Sequence, residues 1–163
     1  LFDLVQETRG VNKGVWGSKT FAFRGLLKCG RCTADITAQD KFKTLKNGDV
    51  KRFVYYNCTR RKDPNCAEKY VNEERLCELM QGFIEKHHED IKITEKLRAR
   101  VDKHFYTTKT ILTHYKIDQK LDNPFIEYAR YVLADGTDSE RTFLASNMGP
   151  MLQIKDGELE LYR

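Results

Sequence analysis

Cys29-Gly30-Arg31-Cys32 and, one hairpin-length further on, Cys58-Thr59-Arg60-Arg61-Lys62-Asp63-Pro64-Asn65-Cys66 decide how this chain folds. A C-x2-C pair closes a tight turn, helped here by Gly30. Such a turn sets two sulfurs about 3.5–4 Å apart, the spacing that one tetrahedral Zn²⁺ needs. The second pair is wider, and Pro64 and Asn65 bend the loop so that Cys66 can return toward Cys58. One C-x-x-C alone is a weak signal, whereas two pairs flanking a single hairpin make a strong one. The expectation is one structural Zn²⁺ held by Cys29, Cys32, Cys58 and Cys66, closed off by four sulfurs with no open position for catalysis. Disulfide pairing is the bland alternative, and five cysteines without a secretory signal argue against it by pointing to a reducing compartment. The fifth, Cys77, lies beside Leu76 in a helical pattern and reads as a packing residue, with no activating His or cation evident beside it.

Between the pairs, Ala34–Lys43 and Lys51–Asn57 read as strands joined by the turn Lys46-Asn47-Gly48-Asp49. Asn-Gly tolerates the positive φ that a hairpin turn demands. Phe53 and Tyr55 share one face of the second strand, Val54 and Tyr56 the other. Thr20–Leu27 is expected to be a strand entering the first pair. A ribbon of about 50 residues is too small to hold together by its core alone, so zinc is expected to contribute much of its folding free energy.

From Asn72, a plausible N-cap, the period changes to helical. Leu76, Leu79, Met80, Phe83 and Ile84 recur at helical spacing, and His87 and His88 at the end read as surface or C-terminal charge complementation. Thr94–Tyr115 forms a second helix whose stripe of Leu97, Val101, Phe105, Leu112 and Tyr115 reads as core packing. Asn123-Pro124 opens a third, to Ala134, ended by Gly136. Thr137-x-x-Glu140 is a capping box for a short fourth helix. Met151–Ile154, the turn Asp156-Gly157, and Leu159–Tyr162 predict a closing hairpin. The fold class is therefore α+β, a zinc β-ribbon followed by a helical region and a short C-terminal β-hairpin. The expected division is 1–10, the end of a preceding helix; 11–70, linker and ribbon; and 71–163, the helical region with its hairpin, packed with the ribbon.

The net charge of +5 conceals an asymmetry. Val11–Tyr70 holds 14 basic and 5 acidic residues (+9), Val71–Arg163 holds 14 and 17 (−3), and Leu1–Gly10 adds −1. Positive charge gathered on the cysteine module suggests a polyanionic partner. Candidate nucleic-acid contacts are Lys41, Lys43, Lys46, Lys51 and Arg52 around the hairpin and its tip, and Arg60, Arg61 and Lys62 in the second knuckle. The linker GVNKGVWGSK adds Lys13, Trp16 and Lys19. Two readings stay open for Trp16, a groove contact or an anchor of the linker on the module's surface. No apolar run approaches the ~20 residues of a membrane span, so no membrane partner is expected. No paired carboxylates or Ser/His arrangement at interpretable spacing suggests an enzyme complete in itself. Leu1 in place of Met, with Leu1–Gln6 already helical in pattern, leads to the expectation of a piece of a longer polypeptide.

The run Phe23-Arg24-Gly25-Leu26-Leu27-Lys28-Cys29-Gly30-Arg31-Cys32, followed by Tyr55-Tyr56-Asn57-Cys58 and then Cys66, resembles the zinc β-ribbon of the large serine recombinases. These are the phage integrases and transposon recombinases that cut and rejoin DNA at attachment sites. LFDLVQ resembles the last helix of their recombinase domain. Tyr131-Val132-Leu133 through Gly136-Thr137 to Leu152-Gln153-Ile154 and Leu159-Glu160-Leu161 resembles the end of their C-terminal region. The resemblance implies a non-catalytic, DNA-binding part of a site-specific serine recombinase that recognises attachment-site DNA for integration or excision. It implies double-stranded DNA and other recombinase subunits as partners, and a cytoplasmic setting in a bacterium, phage or mobile element. The competing reading is a zinc ribbon for protein interaction or RNA binding. The chain departs from the family in two respects. Nothing in it corresponds to the family's catalytic domain with its nucleophilic serine. Thr94–Asn123 is short and weakly heptad-like where many members insert a long antiparallel coiled coil.

Overall fold

The computed structural model describes residues 19–162, so Lys13, Trp16 and the helix expected over Leu1–Arg9 lie outside the described residues. The first described stretch corrects one expectation. Thr20–Leu27 is not a strand: the chain turns through Ala22–Leu26, with the Leu26 amide donating to the Phe23 carbonyl (3.3 Å). Gly25 takes φ +75°, incompatible with extended backbone, and β1 is only Leu27–Cys29. The turn still buries Ala22 and Phe23 completely, with the Phe23 ring 5.8 Å from that of Tyr56.

β2 (Ile36–Thr44) and β3 (Val50–Cys58) form a regular antiparallel hairpin, in register from Ile36↔Cys58 to Thr44↔Val50. Its loop closes by the Leu45 amide on the Asp49 carbonyl (2.7 Å) and the Gly48 amide on the Leu45 carbonyl (2.9 Å), with Gly48 at φ +89°. Strand alternation then sorts the side chains. Val54, Tyr56 and Cys58 lie buried beside Ile36, while Phe53 and Tyr55 turn outward. β4 (Val71–Asn72) adds a third strand against Tyr55 and Tyr56.

α1 (Glu73–His87) starts where Asn72 accepts the Arg75 amide, and it buries Leu76, Cys77, Met80, Phe83 and Ile84. Leu76 and Met80 are wholly inaccessible, so truncating either to Ala costs about 2–5 kcal/mol. α2 (Glu95–His114) is capped by Thr94. α3 (Pro124–Asp135) is capped by Asn123, with proline in its first turn, and buries Phe125, Ile126, Tyr128, Ala129, Val132 and Leu133. α4 (Asp138–Ser146) carries the expected capping box between Thr137 and Glu140. The stripe read on α2 is only partly core. Leu97 and Val101 are buried, but Phe105 and Leu112 are half-buried and Tyr115 is 68% exposed. Towards the C-terminal end of α2, Tyr106, Ile111 and Tyr115 are exposed.

β5 (Leu152–Lys155) and β6 (Glu158–Leu161) form the closing hairpin. β1 pairs in parallel with β5, Leu27↔Leu152 through Cys29↔Ile154. Two three-stranded sheets result, ordered β1-β5-β6 and β2-β3-β4. Buried residues from Ala22 to Ile154 join in one cluster that includes Cys29, Cys58, Cys66 and Cys77.

Candidate metal centre and nucleic-acid interface

Each pair of cysteines is delivered by a strand end and the turn beyond it. Cys29 ends β1 and the chain reverses at once, with the Thr33 amide on the Cys29 carbonyl at 2.8 Å and Thr33 at φ +60°. Cys58 ends β3, followed by Arg60 at φ +56°, whose amide donates to the Cys58 sulfur at 3.2 Å. Asp63 then caps the bend, accepting the Asn65 amide through its side chain and the Cys66 amide through its carbonyl. The four sulfurs lie within 4.8 Å of one another, with Cys29–Cys66 at 3.6 Å and Cys32–Cys58 at 3.4 Å.

That spacing discriminates. A disulfide needs about 2.05 Å, whereas sulfurs at tetrahedral corners about 2.3 Å from one zinc stand about 3.8 Å apart. All five cysteines are free thiols. Burial pushes the Cys29 and Cys58 thiols up, against the pull of backbone amides from Cys32 and Arg31 on the first and from Arg60 on the second. At Cys32 burial acts in the same sense, but the Ala34 amide and the neighbouring sulfurs outweigh it and the net direction is down. Four crowded thiols, three of them buried, become stable as thiolates only around a cation. The residues present fit one zinc ion, and an all-sulfur set leaves no open position. Cys77 stands apart on α1. Burial pushes its thiol up to about 11, as suits a packing residue.

Nothing in the spacing of the motifs points to what lies behind the first knuckle. Arg31 reaches Asp156 in the β5–β6 turn and Glu68 just beyond the second knuckle. The Glu68 carboxylate is fully enclosed and accepts the amides of Lys69, Asp156 and Gly157 at 3.1–3.2 Å. No linear motif joins positions 31, 68 and 156, and the crowded Gly30 is the only local trace of the contact.

The basic residues sort by strand face. Lys41, Lys43 and Lys51 share the outward face of the β2–β3 hairpin with Thr37, Gln39, Phe53, Tyr55 and Asn57, and no acid stands among these positions. The ammonium of Lys41 lies 5.7 Å from the Tyr55 ring centroid, and those of Lys43 and Lys51 lie 5.5 and 5.1 Å from that of Phe53. Lys43 and Lys51 stand directly opposite across the strands, although Lys51 also reaches Glu74 on α1 at 3.3 Å. Lys46 is exposed in the loop, and Arg60, Arg61 and Lys62 are exposed in the second knuckle. Arg52 and Lys19 belong to the other face: both pair with Asp40, at 3.1 and 2.9 Å, and Arg52 also covers the Phe21 ring. Gln39 and Asn57 join the outward face only through strand register.

Residues 22–84, from the turn before β1 to the third turn of α1, match the family model of the recombinase zinc beta ribbon domain. This segment is similar to the zinc ribbons of recombinases. No curated protein matches the chain significantly. A solved structure described as the crystal structure of an LSR-DNA complex is similar over 98% of this chain and 63% of its own, with 15% identity and a TM-score of 0.46. The chain thus spans less than two thirds of that protein's length. The matched segment contains all four clustered cysteines and the whole lysine–aromatic face.

Proposed function

We propose that this chain is the DNA-gripping part of a site-specific serine recombinase, its ribbon shaped by one structural zinc on Cys29, Cys32, Cys58 and Cys66 and its hairpin laid against attachment-site duplex. The observation that carries the reading is the outward face of the hairpin. Like charges directly opposite on a sheet destabilise it, and Lys43 faces Lys51 with Lys41 one pair further along. A polyanion relieves that repulsion. A two-stranded ribbon has the width of the B-DNA major groove, and Gln39, Tyr55 and Asn57 sit among the lysines where base edges would come. Exposed Lys46, Arg60, Arg61 and Lys62 extend the phosphate contacts beyond both ends of that face.

The test is a charge reversal placed on that face and, as a control, elsewhere. K43E/K51E should weaken duplex binding at least tenfold and flatten its salt dependence by about one unit of log–log slope per lost phosphate contact. K96E/K120E, the same change of net charge on exposed residues outside the ribbon, should leave the slope unaltered. Equal effects of the two double variants would remove the hairpin face from the account. A preference for single-stranded RNA over duplex DNA would favour the competing module instead.

A further inference from the structure

A parallel strand pairing about 125 residues apart in sequence ties the metal centre to the end of the chain. Gly30, inside the C-x2-C turn, donates its amide to the Ile154 carbonyl at 2.7 Å. A β-carbon at Gly30 would stand 2.5 Å from the Lys155 β-carbon and 3.2 Å from the Ile154 carbonyl oxygen, so only glycine lets the turn lie this close. One residue on, Arg31 binds Asp156 and Glu68. Glu68, two residues beyond Cys66, accepts the amides of Asp156 and Gly157, both at positive φ in the β5–β6 turn. The hairpin thus touches the turn of the first pair directly and the loop of the second through one buried carboxylate.

We propose that the C-terminal hairpin is a working part of the metal centre, with Glu68 and Arg31 as positioning residues, so that zinc binding and the ordering of residues 152–161 are one event. The proposal rests on the assignment of zinc to the four cysteines. A buried carboxylate with three amide donors and one guanidinium holds its place only while all of them are present. Cys29 stands just before Gly30 and Cys66 two residues before Glu68, and their sulfurs are 3.6 Å apart. Metal brings their two loops together and completes the Glu68 pocket. The seated hairpin in turn fixes the C-x2-C turn, as outer-shell partners of metal ligands do.

The experiment uses the full chain. Zinc affinity is measured by competition with a chromophoric chelator, and amide hydrogen exchange is followed before and after zinc removal. E68Q, which keeps the shape but loses the charge and an acceptor, should bind zinc 10–100-fold more weakly, the usual cost of losing an outer-shell partner. G30A should do the same, and G30A/K155G, which removes the clashing β-carbon, should recover most of the loss. On zinc removal, amides of Gln153–Leu161 should lose protection while those of Ala129–Leu133 in α3 keep it. If E68Q does not fold, the G30A and G30A/K155G pair decides. Affinities within about twofold of wild type in the folded variants, or a hairpin still protected without zinc, overturn the proposal while leaving the metal assignment intact. Protection lost throughout, α3 included, overturns the local coupling. A wild-type chain that binds no zinc sinks the metal assignment and the proposal with it.

Discussion

Asp40 gathers two cations on the inner side of the hairpin, Lys19 at the start of the described chain and Arg52 across the strands. Its side chain is only 9% exposed. The hydrogen bond from Lys19 pulls its carboxyl below the ordinary value, outweighing the burial that pushes it up, and Arg52 adds to the pull. A depressed folded-state pKa contributes stability above the unfolded value, and that stability is lost as pH falls through the folded value. D40N should therefore lower the thermal midpoint at neutral pH, and the gap from wild type should close in acid, as pH falls through the lowered value of the native carboxyl. A gap that persists unchanged in acid would mean that packing, not charge, is what Asp40 supplies. The same pairing explains why Arg52 and Lys19, equal to their neighbours as basic residues in the sequence, differ from them in place. Their charge is met from within, whereas Lys41 and Lys43 have no carboxylate partner among the described residues.

Elements that announce themselves locally were legible in the chain. Asn47-Gly48 placed the hairpin turn, and Asn72, Asn123 and Thr137 placed three helix starts, because a cap is chemistry between residues two or three apart. The box at α4 is complete: Thr137 accepts the Glu140 amide, and Glu140, its carboxyl pulled down chiefly by the Thr137 amide, accepts that amide at 2.8 Å. T137A should cost about 1 kcal/mol, read from a urea midpoint at unchanged m-value, and T137S should cost little. An alanine variant as stable as wild type would show that tertiary contacts alone hold α4, such as Thr142 on the Ala22 carbonyl at 2.8 Å. What the period could not show was whether a stripe finds a partner. Leu97 and Phe105 follow the same spacing on α2, yet only the first is fully buried. The strand expected over Thr20–Leu27 failed for a related reason. β-like composition around Phe21 and Phe23 was outweighed by the positive φ at Gly25, which turns the chain and buries Phe23 against Tyr56.

At the scale of the molecule, the four cysteines and the basic ribbon were readable because their spacing and charge lie within one stretch of chain. The parallel pairing of β1 with β5 was not, since nothing near Leu27 encodes a partner at Leu152. That pairing puts the metal loops, the hairpin they anchor and the end of the chain into one body, with a single hydrophobic cluster beneath them. In this account zinc holds the shape and the outward face of β2–β3 meets the phosphates. The most direct measurement is the affinity of the zinc-loaded chain for duplex DNA as a function of salt, repeated after zinc is removed. Three phosphate contacts on the lysine face give a log–log slope of about −2.7, a loss of about forty-fold from roughly 50 to 200 mM salt, and stripping the metal should abolish the steep component. No affinity for duplex even at the lowest salt, or a slope unchanged when the metal is gone, would contradict it.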